Sequence, residues 1–169
     1  MDKPYKYSSV QVQMIPDISE RFLSLGKELI PNTNLFGDGF ETDPHVTLLY
    51  GIHEEHPTLP LIDILETHPK FTVTLGDVSL FTEDEEFDVV KTDIHCNDLF
   101  VLRSTMLTVC YYTLTFPEYI PHATIAFVKK GMCDYLIGNP VFRGLSFVVD
   151  SVMFSSSNGS KRKIMLGIR

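Results

Sequence analysis

Two stretches of this 169-residue sequence carry one four-residue pattern, Pro44-His45-Val46-Thr47 and Pro121-His122-Ala123-Thr124. Each leads into an apolar run, LLYGI after the first and IAFV after the second. In extended chain, residues two apart share a face. His45 and Thr47 therefore point one way, as do His122 and Thr124. Val46, Leu48 and Tyr50, and likewise Ala123, Ile125 and Phe127, are expected on the opposite face against helices. Brought together across a cleft, two such pairs could cleave a phosphodiester. Histidine titrates near neutrality and serves as either base or acid. One neutral imidazole would take the proton of the attacking oxygen, and one protonated imidazole would supply the leaving oxygen, which implies a bell-shaped pH profile. The threonine hydroxyls could donate to the non-bridging oxygens, where charge concentrates in the transition state. The scheme needs no metal or other cofactor, and it leaves open which histidine is the base. Either histidine alone would read as a half-buried polar group at the start of a strand. The matched flanks favour chemistry.

The elements that must position these residues also come in two rounds. KYSSVQVQMI alternates as a strand. Pro16 then opens PDISERFLSLGKELI, whose Ile18, Phe22, Leu25 and Leu29 fall on one helical face. Pro31 and the Asn/Gly-rich NTNLFGDGF break that helix before the first His-bearing strand. A His/Pro/Glu loop, a short helix at LIDILETH and a strand KFTVTLGDVSLF with a bend at Gly76 follow. The second round has a strand EFDVVKTDIHC and a helix through LFVLRSTMLTVCYY capped by Asn97 or Asp98. The second His-bearing strand comes next, then MCDYLIGNP as a turn or short helix. LSFVVDSVMFSSS and KRKIMLGIR form a closing hairpin around SSSNGS. Strand, helix, His-bearing strand thus occurs twice, as in two similar α+β lobes facing each other, too few units for a solenoid. No linker divides them, so residues 1–169 form one domain.

Composition bounds the partners. Hydrophobic residues make up 44% and charged residues 21%, an ordinary globular mix. The absence of a run approaching the roughly 20 apolar residues of a membrane span, or of a signal-peptide centre in MDKPYKYSSV, points to a cytoplasmic protein. Cys96, Cys110 and Cys133 are scattered and suit free thiols. The net charge is −8, which disfavours long nucleic acid as a partner. It is also uneven: residues 1–100 hold 6 Lys+Arg against 19 Asp+Glu, and residues 101–169 hold 8 against 3. The basic C-terminal part could attract a small anion, and TEDEEFD reads as a solvated acidic loop.

With the motifs PHVTLLYG and PHATIAFV, the sequence resembles the 2H phosphoesterase superfamily, also called LigT-like. Its signature is two His-x-Thr/Ser motifs, each starting a strand in one of two pseudo-symmetric lobes. The resemblance spans nearly the whole chain. It implies an α+β fold of two antiparallel sheets facing a central groove, with helices outside, and metal-free catalysis by His45, Thr47, His122 and Thr124. Within the superfamily, HVTLLYGIHEEHP is similar to the phage anti-CBASS branch. That likeness implies a phosphodiesterase acting on cyclic di- or trinucleotide immune signals in the host cytoplasm. A ribose 2′-OH or water would be the first nucleophile.

Further candidates follow from position. Tyr5 and Tyr7 could stack on a base or cover the core. Ser155 and Ser156 end a strand near the closing hairpin and could line the groove. Lys161, Arg162 or Lys163 could contact phosphate or form a solubilising rim. His53 and His56 flank two glutamates without an obvious third ligand, so no metal site is expected, and His68 and His95 read as ordinary surface or satisfied histidines. Two other functions stay open: an RNA-end enzyme, either a 2′,3′-cyclic phosphodiesterase or a 2′,5′ ligase, and a non-catalytic module that sequesters a nucleotide. Oligomeric state and base preference are not legible.

Overall fold

The computed structural model describes residues 5–169, so the reading of the N-terminal stretch rests partly on residues 1–4, outside the described part. The chain runs β1 (Ser8–Gln13), α1 (Pro16–Leu29), β2 (Leu35–Phe40), β3 (His45–Ile52), α2 (Leu59–Thr67), β4 (Phe71–Phe81) and β5 (Phe87–Ile94). It continues with α3 (Asn97–Leu107), β6 (His122–Lys129), β7 (Ser146–Val149), β8 (Ser151–Ser155) and β9 (Lys161–Met165). Among the described residues the strands form a curled antiparallel sheet in the order β7-β4-β5-β6-β3-β1-β8-β9, with β2 also paired to β6. None of the helices described is long and apolar enough to cross a membrane.

The sheet divides at the seam of β3 and β6 into two half-sheets, β7-β4-β5-β6 and β3-β1-β8-β9, so β4 of the first round joins the half of His122 while β8 and β9 of the second round join the half of His45. The seam is short, with Val46 paired to Ala123. Further along the chain, Leu35 and Phe40 of β2 pair with Val128 and Ala126 of β6. Strand β2 therefore occupies part of β6 that β3 does not, and the half-sheets splay into a groove. Helix α1 follows β1 yet packs on β6. Buried Gly26 lets it come so close that a Cβ there would lie 3.0 Å from the Ile125 side chain. Helix α3 follows β5 yet packs on β3. The halves are thus interleaved, and the core lies between the outer sheet face and the helices, with Val10, Val12, Val46, Leu48, Val90, Ala123 and Phe22 essentially sealed from solvent.

Several expectations change. The helix does end before Pro31 and NTNLFGDGF, with Ile30 as its C-cap, but NTNLFGDGF also contains β2, an edge strand that Gly37 and Gly39 (φ 57° and 71°) allow to kink against β6. Helix α3 stops at Leu107, well short of Tyr112, and Cys96 takes the N-cap position without a side-chain cap bond. The β-branched Thr108 and Val109 favour helix weakly, and the next residues find better partners: Tyr112 bridges Ile52 beside β3. LSFVVDSVMFSSS is two strands. β7 pairs with β4, the chain turns at Asp150, and β8 pairs with β1 and β9.

The His-bearing strands also depart from simple alternation, and in the same way. On β3, Gln11 pairs with Thr47 but Val10 pairs with Leu49, leaving Leu48 as an extra residue. On β6, Lys91 pairs with Thr124 but Val90 pairs with Ala126, leaving Ile125 extra. Each bulge sits three residues after the histidine. A bulge re-aims the side chains beyond it. Tyr50 and Phe127, expected among the buried residues, are instead half-exposed, while Leu49 and Ala126 are buried. The duplication therefore extends to a matched irregularity.

Candidate active site

The proline before each histidine removes an N–H and holds the preceding residue in extended geometry. That preceding carbonyl then meets the imidazole. His45 Nδ1–H donates to the Asp43 carbonyl at 2.8 Å, and His122 Nδ1–H donates to the Ile120 carbonyl at 2.7 Å. A carbonyl only accepts, so each bond fixes the proton on Nδ1 of the neutral ring and leaves Nε2 with its lone pair. The two rings are prepared alike for proton transfer at Nε2.

Register brings them together. With Val46 opposite Ala123, His45 lies opposite Thr124 and Thr47 opposite His122, all on the face away from the core. Diagonal neighbours across an antiparallel pair are about 7–8 Å apart, wide enough to hold a phosphate between two rings. The charge on His45 is felt at His122.

The surroundings of the two histidines differ. His45 has Gln13 across the strand and Thr47 has Gln11, both neutral. His122 has Asp93 and Thr124 has Lys91. Lys91 is only 4% exposed. Its Nζ donates to Asp93 Oδ1 at 2.7 Å and to Ser79 Oγ, and lies 4.5 Å from the Phe81 ring centre. The Phe81 ring meets the His122 ring at 90°, with centroids 4.8 Å apart. Burial raises the proton affinity of Asp93, but hydrogen bonds from Lys91 and Ser79 outweigh it and hold the carboxyl below its ordinary range. Burial pushes His122 below its ordinary value. The positive charges of Lys91 and His45 act in the same direction, opposed by the Ile120 carbonyl and Asp93. Lys91→Met removes a cation and unpairs Asp93, so both changes favour imidazolium. The His122 titration should move to higher pH, followed by the ring proton resonance in NMR. An unmoved or lowered titration would remove Lys91 from the electrostatics of this ring.

Tyr119 braces the seam: its hydroxyl donates to the Thr47 carbonyl at 2.8 Å, with the Arg103 guanidinium 4.7 Å from its ring centre. Further out, Tyr7 meets Tyr50 edge-on at 5.9 Å and stacks on His53 at 5.4 Å. His53 Nε2 lies 2.8 Å from Thr113 Oγ1. At the equivalent place in the other half, Phe87 meets Phe127 at 5.6 Å and stacks on Phe36 at 5.4 Å. Ser155 pairs with Ser9 and with Lys161 on the half-sheet of His45. Ser156 is 2% exposed and belongs to the hairpin turn, where its backbone N–H donates to the Ser160 carbonyl. Lys161 Nζ stands 3.9 Å from Asp43 Oδ2, beside the residue that tethers His45. Among the described residues, no group of three or more His, Cys, Asp or Glu side chains could hold a metal, and the three cysteines are free.

Sequence reasoning missed Lys91, Asp93, Ser79, Phe81, Gln11 and Gln13. A signal was present. Lys91-Thr-Asp93 and Gln11-Val-Gln13 put polar side chains two apart inside otherwise apolar strands, the spacing of the His-x-Thr pairs themselves.

No family profile matches the chain, and no curated protein matches it in sequence. Solved structures do match in shape. Escherichia coli LigT in apo form aligns over 95% of this chain and 97% of its own, with TM-score 0.68 and 20% identity. LigT has also been solved with phosphate and with 3′-AMP. TT0787 of Thermus thermophilus aligns over 94% and 97%, with TM-score 0.66 and 14% identity. Usb1 of Kluyveromyces marxianus aligns over 94% and 97%, with TM-score 0.64 and 10% identity. At these identities the likeness is one of fold: the chain is an α+β protein with the curled antiparallel half-barrel of LigT.

Proposed function

We propose that the chain is a phosphodiesterase in which His45 and His122 act from opposite sides of one phosphorus, without a metal. The observation that carries this reading is the pair of identical tethers. Both Nδ1 atoms are held by the carbonyl two residues back, and both Nε2 atoms belong to rings diagonal across one seam. His122, held below its ordinary value chiefly by burial, is neutral at pH 7 and suits the base. His45, flanked by neutral Gln13, is then the acid. Thr47 and Thr124 donate to the non-bridging oxygens. The base takes the proton of a ribose 2′-OH or of water. As that oxygen bonds to phosphorus, the bond to the leaving oxygen breaks and His45 protonates it.

The substrate class proposed is a cyclic di- or trinucleotide, and the biological role is phage evasion of CBASS defence. The basic balance of residues 101–169, 8 Lys+Arg against 3 Asp+Glu, can attract a small anion, whereas a long polyanion is disfavoured by the net charge of −8. Tyr7, Ser155, Ser156 and Lys161 belong to or adjoin the half-sheet of His45 and are proposed to contact substrate, Ser156 through the hairpin backbone it shapes.

The test is incubation with 3′,3′-cyclic GMP–AMP, cyclic triadenylate and an RNA oligomer ending in a 2′,3′-cyclic phosphate, each in EDTA, with product separation. Opening of the cyclic oligonucleotides is expected. Turnover of the RNA end alone would assign an RNA-end enzyme, and tight binding of any of the three without turnover would assign a sequestering module.

A further inference from the structure

Tyr119 stands where the two His-x-Thr motifs meet. Its backbone directly precedes Ile120, whose carbonyl tethers His122. Its hydroxyl crosses to the other motif and donates to the Thr47 carbonyl at 2.8 Å. One residue thus joins the tether of one imidazole to the strand that carries the other.

The seam needs such a link. Among the described residues, the ladder between β3 and β6 amounts to Val46 opposite Ala123. Beyond that pair β6 takes β2 as its neighbour, and β3 takes Tyr112 through Ile52. A single pair is a pivot. The half-sheets could turn about it, and the two imidazoles, diagonal across it, would change their separation. A second attachment at the next residue of β3 removes that freedom.

The ring that makes the attachment is itself held by α3. Phe100 meets it edge-on, with centroids 5.3 Å apart, and the Arg103 guanidinium lies 4.7 Å from its centre. Residues three apart share a helix face, and both kinds of contact are favourable. Helix α3 also packs on β3, so helix, ring and strand brace one another. Burial pushes the Tyr119 hydroxyl above the ordinary tyrosine value, so it stays a donor wherever the two histidines titrate.

We infer that Tyr119 is a positioning residue, whose hydroxyl bond to the Thr47 carbonyl fixes the separation of the two imidazoles across the seam. It acts through His45 and His122 and takes no part in proton transfer. Its effect on rate rests on the phosphodiesterase reading, whereas its effect on the spacing of the rings does not.

The experiment uses Tyr119→Phe, which keeps the ring and removes the bond, in two measurements on the full chain. On 3′,3′-cyclic GMP–AMP, kcat should fall about tenfold with KM nearly unchanged, because a small misplacement of the reacting groups costs rate without removing a binding contact. A lower Tm at wild-type kcat would make the bond merely structural and overturn the inference. The second measurement is the His122 titration, followed by NMR. His45→Ala removes a positive charge that lowers His122, so it should move this titration to higher pH. Lys91 and Asp93, which also act on His122, are the same in both backgrounds. With Tyr119→Phe present, the displacement caused by His45→Ala should shrink to about half, because two rings of like charge move apart once unbraced. An equal displacement in the two backgrounds would overturn the inference. Should Tyr119→Phe fail to fold, Arg103→Met takes its place. It frees the ring, keeps the hydroxyl and should lower kcat about threefold, the loss of one cation–π contact; an unchanged kcat would overturn the inference. A wild-type chain that opens none of the cyclic or RNA diesters would sink the phosphodiesterase reading, and the titration would then decide the brace alone.

Discussion

His122→Ala is expected to lower kcat on the cyclic dinucleotide by about a thousandfold, and His45→Ala to do the same, the range seen when a general acid or base is removed. KM should change little, because neither imidazole is a main source of ground-state binding. The double variant should be scarcely slower than either single one, since groups that act as a unit are not additive. Folding should survive. Each ring makes one tether to a nearby carbonyl, a bond that contributes about 1 kcal/mol. Its loss would lower Tm by roughly 2–4 °C in a chain of this size. Steady-state rates and a melting curve on the same preparations separate the two effects. A single variant that keeps the wild-type rate would remove that histidine from the chemistry.

Gly51→Ala is expected to have the largest effect on stability, about 4 kcal/mol, or roughly 8–16 °C in Tm. Gly51 has φ 115°, where an L side chain is strained. A Cβ there would stand 2.0 Å from the Thr113 carbonyl oxygen, a backbone atom that cannot step aside alone. The segment it would strike is pinned to β3 by Thr113 N–H to the Gly51 carbonyl and His53 N–H to the Tyr111 carbonyl, both 2.9 Å. That segment leads to Tyr119, whose hydroxyl braces Thr47, and then to Pro121 and His122. Activity at a temperature where the variant is still folded should therefore also fall. A variant that melts within a degree or two of wild type would mean that the 111–113 segment yields freely and contributes little.

Much of the site was legible because its signal is local. Pro-His-x-Thr states a strand, a face and a tether within four residues, and β3 begins at His45 as β6 begins at His122. The amphipathic spacing of α1 and the bend at Gly76 were equally local: Leu75 pairs with Ile94 but Val78 with Thr92, a register slip at Gly76 and Asp77. What escaped depends on partners distant in sequence. Tyr50 and Phe127 belong to the groove side because a bulge slips each strand by one residue, and the bulge exists only against β1 or β5. Strand β2 needs the free part of β6 to become a strand at all. The turn at Asp150 is imposed by pairing with β4 on one side and β1 on the other. Lys91 would be an ordinary surface lysine by composition. Only the fold seals it between Asp93, Ser79 and Phe81, beside one histidine and not the other.

That two imidazoles serve one phosphate is tested most directly by changing the leaving atom. A substrate with sulfur in place of the bridging leaving oxygen departs as a thiolate, whose conjugate acid has a pKa of about 8.5, and so needs no proton from the enzyme. On that substrate His45→Ala should recover to within about tenfold of wild type, while His122→Ala stays slow. Recovery of both variants, or of neither, would contradict a base and an acid acting across a single phosphorus.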